Sequence, residues 1–199
     1  MSIMLISLED AKTFLEIDNS SYDTLLTNLI VFVSDRIQTF LNRKLKKEER
    51  TQYFQAGRRR YYLSAYPVDI TSTITVVVGE ETKTEDEDYY IWDDIGVVEF
   101  REPTTYVGPK QVAVTYTGGY NATTITVSGS VQEIYLSTIP DSLKYACLLQ
   151  VAFMFRRRRD IGLNSVSMPD GSINVQSPTD LLPEVKNILK SYRKTPSEC

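Results

Sequence analysis

Two hydrophobic periods divide the chain. From Ser7 to about Asn42, apolar residues recur every three or four positions, the spacing of helices with one buried face. Ser7 opens a short first helix in which Leu8, Ala11, Phe14 and Leu15 share a side. Its hydroxyl is placed to cap the amide of Glu9 or Asp10, and Asp10 can reach back in a capping box. Asp18-Asn19-Ser20-Ser21 ends this helix and supplies caps for a second, running from about Tyr22 to Asn42. There Leu25, Leu26, Leu29, Ile30, Phe32, Val33, Ile37, Phe40 and Leu41 lie on a broad apolar face, which predicts a helical hairpin.

Beyond a charged connector, Lys44 to Arg50, the period becomes two. Strands are predicted over 52–55 and 58–63 around Ala56-Gly57, then over 71–78, 89–92, 96–100 and 111–117. Tyr66-Pro67-Val68 marks a corner, because proline cannot donate to a ladder. Residues 123–136 read as a further hairpin, polar on one side.

Helical spacing then returns. Pro140 and Asp141 suit a first turn, and the helix they open runs to about Arg159. Between Ala146 and Phe155 it is apolar on nearly every side, which predicts a central place in the core. Residues 163–179 are turn-rich and read as an extended or partly disordered arm. Leu182, Val185, Ile188, Leu189 and Tyr192 define a short amphipathic last helix. The expected fold class is α+β: a helical core with an inserted antiparallel β subdomain. The expected division is 1–50 for the helical hairpin, 51–138 for the β insertion, 139–162 for the central helix, and 163–199 for the arm and its helix.

Composition narrows the chemistry. The 199 residues include no histidine, which removes the usual general base, the Ser-His and Cys-His dyads and every histidine-containing metal site. No cofactor and no catalytic group is expected. Cys147 sits in the apolar helix and reads as a buried free thiol; Cys199 ends the chain. A formal net charge of -4 argues against binding nucleic acid over the whole surface. The longest apolar stretch, Tyr145 to Phe155, is far short of the roughly 20 residues that span a bilayer, and residues 1–6 do not read as a signal peptide, so no membrane partner is expected.

Several motifs occur in a telling order: Ile6-Ser7-Leu8-Glu9-Asp10-Ala11-Lys12 before the long helix, Pro67-Val68, Ile74 to Val78, Asp88-Tyr89, Tyr116-Thr117-Gly118-Gly119-Tyr120, Ile139 to Lys144, and Leu182 to Leu189. This order resembles the head–tail connector (adaptor or head-completion) family of tailed phages over nearly the whole chain. Residues 121–138 make a longer segment than that pattern has. The resemblance implies a noncatalytic protein of the virion neck, assembled in the host cytoplasm. It implies a homo-oligomeric ring, usually of twelve, under the portal protein. It further implies a platform for the next neck or tail component, with genomic double-stranded DNA passing through the lumen.

Two charged features then gain candidate roles. Arg156, Arg157, Arg158 and Arg159 fit a helix C-terminus on a solvated face, a contact with an acidic neighbour, or phosphate binding by a small nucleic-acid module. With Leu182, Val185, Ile188, Leu189, Tyr192 and Arg193 they are candidates for docking to the portal or a second subunit; the other reading of that last helix is that it packs on its own subunit. Glu80, Glu81, Glu85, Asp86, Glu87 and Asp88 form a solvated loop or hairpin tip that would suit a channel wall repelling phosphates. Arg58-Arg59-Arg60 alternates across a predicted strand and so reads as split between two faces.

Overall fold

A computed structural model describes residues 3–105, 111–127, 131–158, 165–168, 171–174 and 180–194. In chain order the first elements are β1 (Ile3–Met4), α1 (Leu8–Leu15), α2 (Asp23–Leu41), β2 (Glu48–Phe54) and β3 (Arg60–Tyr62). There follow β4 (Thr75–Val78), β5 (Glu81–Lys83), β6 (Tyr89–Trp92), β7 (Val97–Phe100) and β8 (Val112–Gly118). The chain continues with β9 (Ala122–Val127), β10 (Val131–Leu136), α3 (Asp141–Arg156), β11 (Ser165–Met168), β12 (Gly171–Asn174) and α4 (Pro183–Lys190). The class is α+β, in two units: Met1–Leu41 with Thr123–Arg193, and Asn42–Ala122 with Lys194–Cys199.

The first unit is built on helices with local start signals. Ser7 accepts from the Asp10 amide at 3.0 Å while the Ser7 amide donates to Asp10 Oδ2 at 2.9 Å, the expected capping box. Glu16 closes α1 at φ 58°. Lys12 pairs with Asp23 at 3.0 Å and ties α1 to the first turn of α2. Along α2, Leu26, Ile30, Val33, Ile37 and Leu41 are buried at helical spacing. α3 packs against α1, α2 and α4, so its all-round apolar character has a cause: three neighbours rather than one. Each fully buried Leu, Ile or Val contributes about 1.5–3 kcal/mol relative to exposure. Cys147 is buried in α3, with its sulfur 3.9 Å from Ser34 Oγ.

Residues 123–136 do form a hairpin, but it has a third strand. β1 lies parallel to β10, with Ile3 opposite Ile134 and Met4 opposite Tyr135. The Leu5 amide donates to Ser34 Oγ at 3.0 Å, and Met4, Leu5 and Ile6 are buried. Within the arm, β11 and β12 form a two-stranded antiparallel hairpin.

Among its described residues the second unit is built of strands and turns. A four-stranded antiparallel sheet runs β2-β8-β4-β5, and a three-stranded one runs β3-β7-β6. Their apolar faces share one core containing Val76, Val112, Val114 and Tyr116 from the first sheet and Tyr61, Tyr89, Val98 and Phe100 from the second. The burial of β8 alternates strictly, as its sequence predicts.

The glycine pair in Tyr116-Thr117-Gly118-Gly119-Tyr120 has a steric reason. A Cβ on Gly118 would stand 2.6 Å from the Ala65 carbonyl oxygen, and one on Gly119 would stand 2.6 Å from that of Leu45. Gly119 also sits at φ 112°, and its amide donates to the Pro67 carbonyl at 2.9 Å. Beside it Arg43, almost fully buried, lies 3.4 Å from the Tyr66 ring centroid and 5.5 Å from that of Tyr120.

Three strand expectations change. The strand predicted over 71–78 begins only at Thr75, because Asp69 takes hydrogen bonds from the Thr71 amide, the Thr71 hydroxyl and the Ser72 hydroxyl and folds those residues into a turn. The connector 44–50 is strand from Glu48 onward, since Glu48 pairs with Gly118. The acidic stretch is not wholly loop: Glu81–Lys83 adds to the sheet edge opposite β4.

Candidate assembly surfaces

The three-stranded sheet has one face in the core and one in solvent. In register, Arg60 stands opposite Glu99 and Glu99 opposite Tyr90; Tyr62, Val97 and Trp92 form the next row. On the outer side the Glu99 carboxylate accepts from Arg60 at 3.1 Å and from Trp92 Nε1 at 3.1 Å, and Arg59 approaches at 3.5 Å. The Arg60 hydrogen bond, helped by Trp92, holds the Glu99 carboxyl below its ordinary value. Arg101 covers Tyr90, 5.1 Å from its ring centroid. Trp92 is nonetheless 52% exposed, Tyr90 40% and Ile95, in the following turn, 55%. An indole, a phenol and three guanidiniums are thus fixed in place yet presented outward.

The reading of Arg58-Arg59-Arg60 as split across two faces does not hold for its last two members. The strand begins only at Arg60, so Arg59 lies before the pleat and reaches the same carboxylate. Sequence reasoning missed this cluster. The available signal was Tyr90 and Trp92 two apart in a short strand; the pairing that brings Glu99 and Arg60 to them is a matter of register.

The acidic residues 85–88 form the turn that leads into β6, the far edge strand of that sheet. Glu85 bridges to Tyr89, and the Asp86 amide donates to the Tyr89 carbonyl at 2.9 Å. Asp88 accepts from the Thr84 amide at 2.8 Å, and the Asp86 carbonyl accepts from Arg101. Glu80 and Glu81 belong to the β4–β5 turn and edge, where Glu81 pairs with Lys83 at 2.6 Å. Glu80, Glu81, Glu85, Asp86 and Glu87 are exposed. Among the described residues no group of three or more acids or cysteines is arranged to hold a metal ion.

The other candidates fall on the helical unit. Arg156 is exposed at the end of α3. Arg157 caps that helix and lies 5.5 Å from the Phe153 ring. Arg158 covers Phe155 at 4.2 Å and donates to its carbonyl at 2.6 Å. Arg159 lies outside the described residues. The run is therefore not a row of equivalent phosphate ligands. In α4, Val185 and Leu189 are fully buried. Gln150 accepts from the Leu182 amide at 2.9 Å, and Tyr192 shares a 2.5 Å hydrogen bond with Ser142. Val185 and Leu189 thus pack within their own chain, as the second reading of this helix expects. Ile188 is half-buried, and Arg193 is exposed with its guanidinium 5.1 Å from the Phe40 ring.

The sequence profile of the family described as head completion protein matches residues 4–195. The chain belongs to the head completion protein family. No curated protein sequence matches it. The fold of this chain is shared by a chain from the neck of an empty gene transfer agent particle computed with C6 symmetry. That likeness has TM-score 0.56 and 16% identity, covering 96% of this chain and 90% of the other. A chain from the virion of a native gene transfer agent particle gives the same values. A third, from a native neck computed with C12 symmetry, gives TM-score 0.50 and 14% identity over 98% and 96%. Among its described residues the chain has no helix long and apolar enough to cross a membrane.

Proposed function

We propose that this protein is a structural head–tail connector of a tailed phage or related particle, residing in the virion neck. Copies close a ring, twelve in number, beneath the portal. The ring lengthens the passage for double-stranded DNA and offers a platform for the next neck or tail component. It works by binding, without turnover. The observation that carries this reading is the family match over residues 4–195. The exposed Trp92, Tyr90 and Arg60 cluster supports it, since Trp, Tyr and Arg dominate binding energy at protein interfaces. For portal docking the exposed positions on the helical unit are Arg156 and Arg193, with Ile188 and Tyr192 half-buried.

Native mass spectrometry and negative-stain imaging, alone and with portal-bearing heads, test this. The expected result is a closed ring, free or templated on the portal. A chain that stays monomeric and ignores those heads overturns it.

A further inference from the structure

The three-stranded sheet carries opposite charge where its two edge strands begin, at one end of the sheet. Arg58, Arg59 and Arg60 lead into β3 at one edge and are exposed, the last two with about three-fifths of their side chains in solvent (60% and 58%). At the other edge strand, the turn carrying Glu85, Asp86 and Glu87 leads into β6 and is hydrogen-bonded to its first residue, Tyr89, and those three residues are exposed as well. Residues 80–88 hold six acids against one lysine. Between the edges stand the outward Trp92 and Tyr90, fixed by Glu99 and Arg101.

A ring is closed by a heterologous interface, in which one patch of each copy meets a different patch of the next. Two-fold pairing through either edge would set like charges against each other. Head-to-tail pairing sets arginines against acids at every junction, which steers encounter and fixes register. We infer that the occupant of the β3 edge is the acidic β6-edge segment of a second copy of this chain. Trp92 and Tyr90 supply the buried centre of that junction. Their hydrogen-bonded and stacked positions reduce the ordering that docking must otherwise impose. The acids are then spent at the junctions and do not line the lumen. This rests on the ring proposed above and names the surfaces that close it.

Charge reversal tests it. Arg58→Glu with Arg59→Glu makes one variant, and Glu85→Lys with Glu87→Lys makes another. With portal-bearing heads as template, ring formation is scored by negative-stain imaging and native mass spectrometry. Each variant alone gives a ring yield at least tenfold below that of the wild type. An equimolar mixture restores rings in which the two variants alternate, because each reversed patch then faces its complement. A chain carrying all four substitutions also assembles. Wild-type protein that never forms a ring defeats the connector reading itself. Wild-type rings accompanied by variants that assemble normally, or by a mixture that fails to rescue, defeat the junction and leave the connector reading standing.

Discussion

The side-chain oxygen of Gln150 accepts from the Leu182 amide at 2.9 Å, while its nitrogen donates to the Asp180 carbonyl at 3.0 Å. One buried carboxamide on α3 therefore satisfies two backbone groups of the segment leading into α4, whose first residue is a proline without an amide hydrogen. Gln150→Ala leaves both groups unpaired. The expected loss is about 2 kcal/mol, by the usual penalty for orphaned buried polar atoms. Amide hydrogen exchange locates it: protection in α4 falls while that in β8 is kept. Unchanged protection in α4 contradicts this account.

Gly119→Ala destabilises the strand unit by at least about 2 kcal/mol, because a side chain at φ 112° is strained before any contact is counted. The added methyl also meets Lys46 backbone atoms at 2.7 Å, which cannot move without breaking the Tyr120 hydrogen bond to Leu45. Thermal unfolding measures the loss. A variant as stable as the parent shows that the neighbouring loop yields.

Burial raises the Cys147 thiol from its ordinary 9.0 to about 12. Between those two pH values the unfolded chain binds fewer protons than the folded one, so stability falls as pH rises. The slope approaches 1.4 kcal/mol per pH unit for one such group, roughly the value of a single proton. Denaturant titrations compare the parent with Cys147→Ala over that range, and the variant lacks this increment of slope. In a Cys199→Ser background the thiol resists alkylation at pH 8 until the chain unfolds.

Trp92 is the single tryptophan, so intrinsic fluorescence reports on its hydrogen bond to Glu99. Arg60 and Trp92 depress the Glu99 carboxyl below 4.5. The sign follows: the stabilisation is complete above that value and is lost as pH falls through the lower folded-state value. Emission should therefore change only in acid beyond the ordinary carboxylate range. The transition disappears in Glu99→Gln. A transition centred near 4.5 in the parent shows that the carboxylate is not held as described.

The helices were legible because their signals are local. Ser7 and Asp10 lie three residues apart, and α2 announces its buried face within its own length. α3 could be placed centrally because it lacks a polar side between Ala146 and Phe155. What escaped depends on residues far apart in the chain. Nothing in Ile3-Met4 points to Ile134-Tyr135, and a parallel pair has no turn to betray it. Thr71 and Ser72 look like strand residues until Asp69 claims their polar groups. The Arg60–Glu99–Trp92 cluster exists only once β3, β7 and β6 are in register.

The division of the chain sets an order of completion. Residues 42–122 of the strand unit are one uninterrupted run, whereas the helical unit draws on both Met1–Leu41 and Thr123–Arg193. During synthesis the first two helices leave the ribosome with their main partner, α3, still a hundred residues from being made. The middle of the polypeptide can mature first, while the beginning waits for the end.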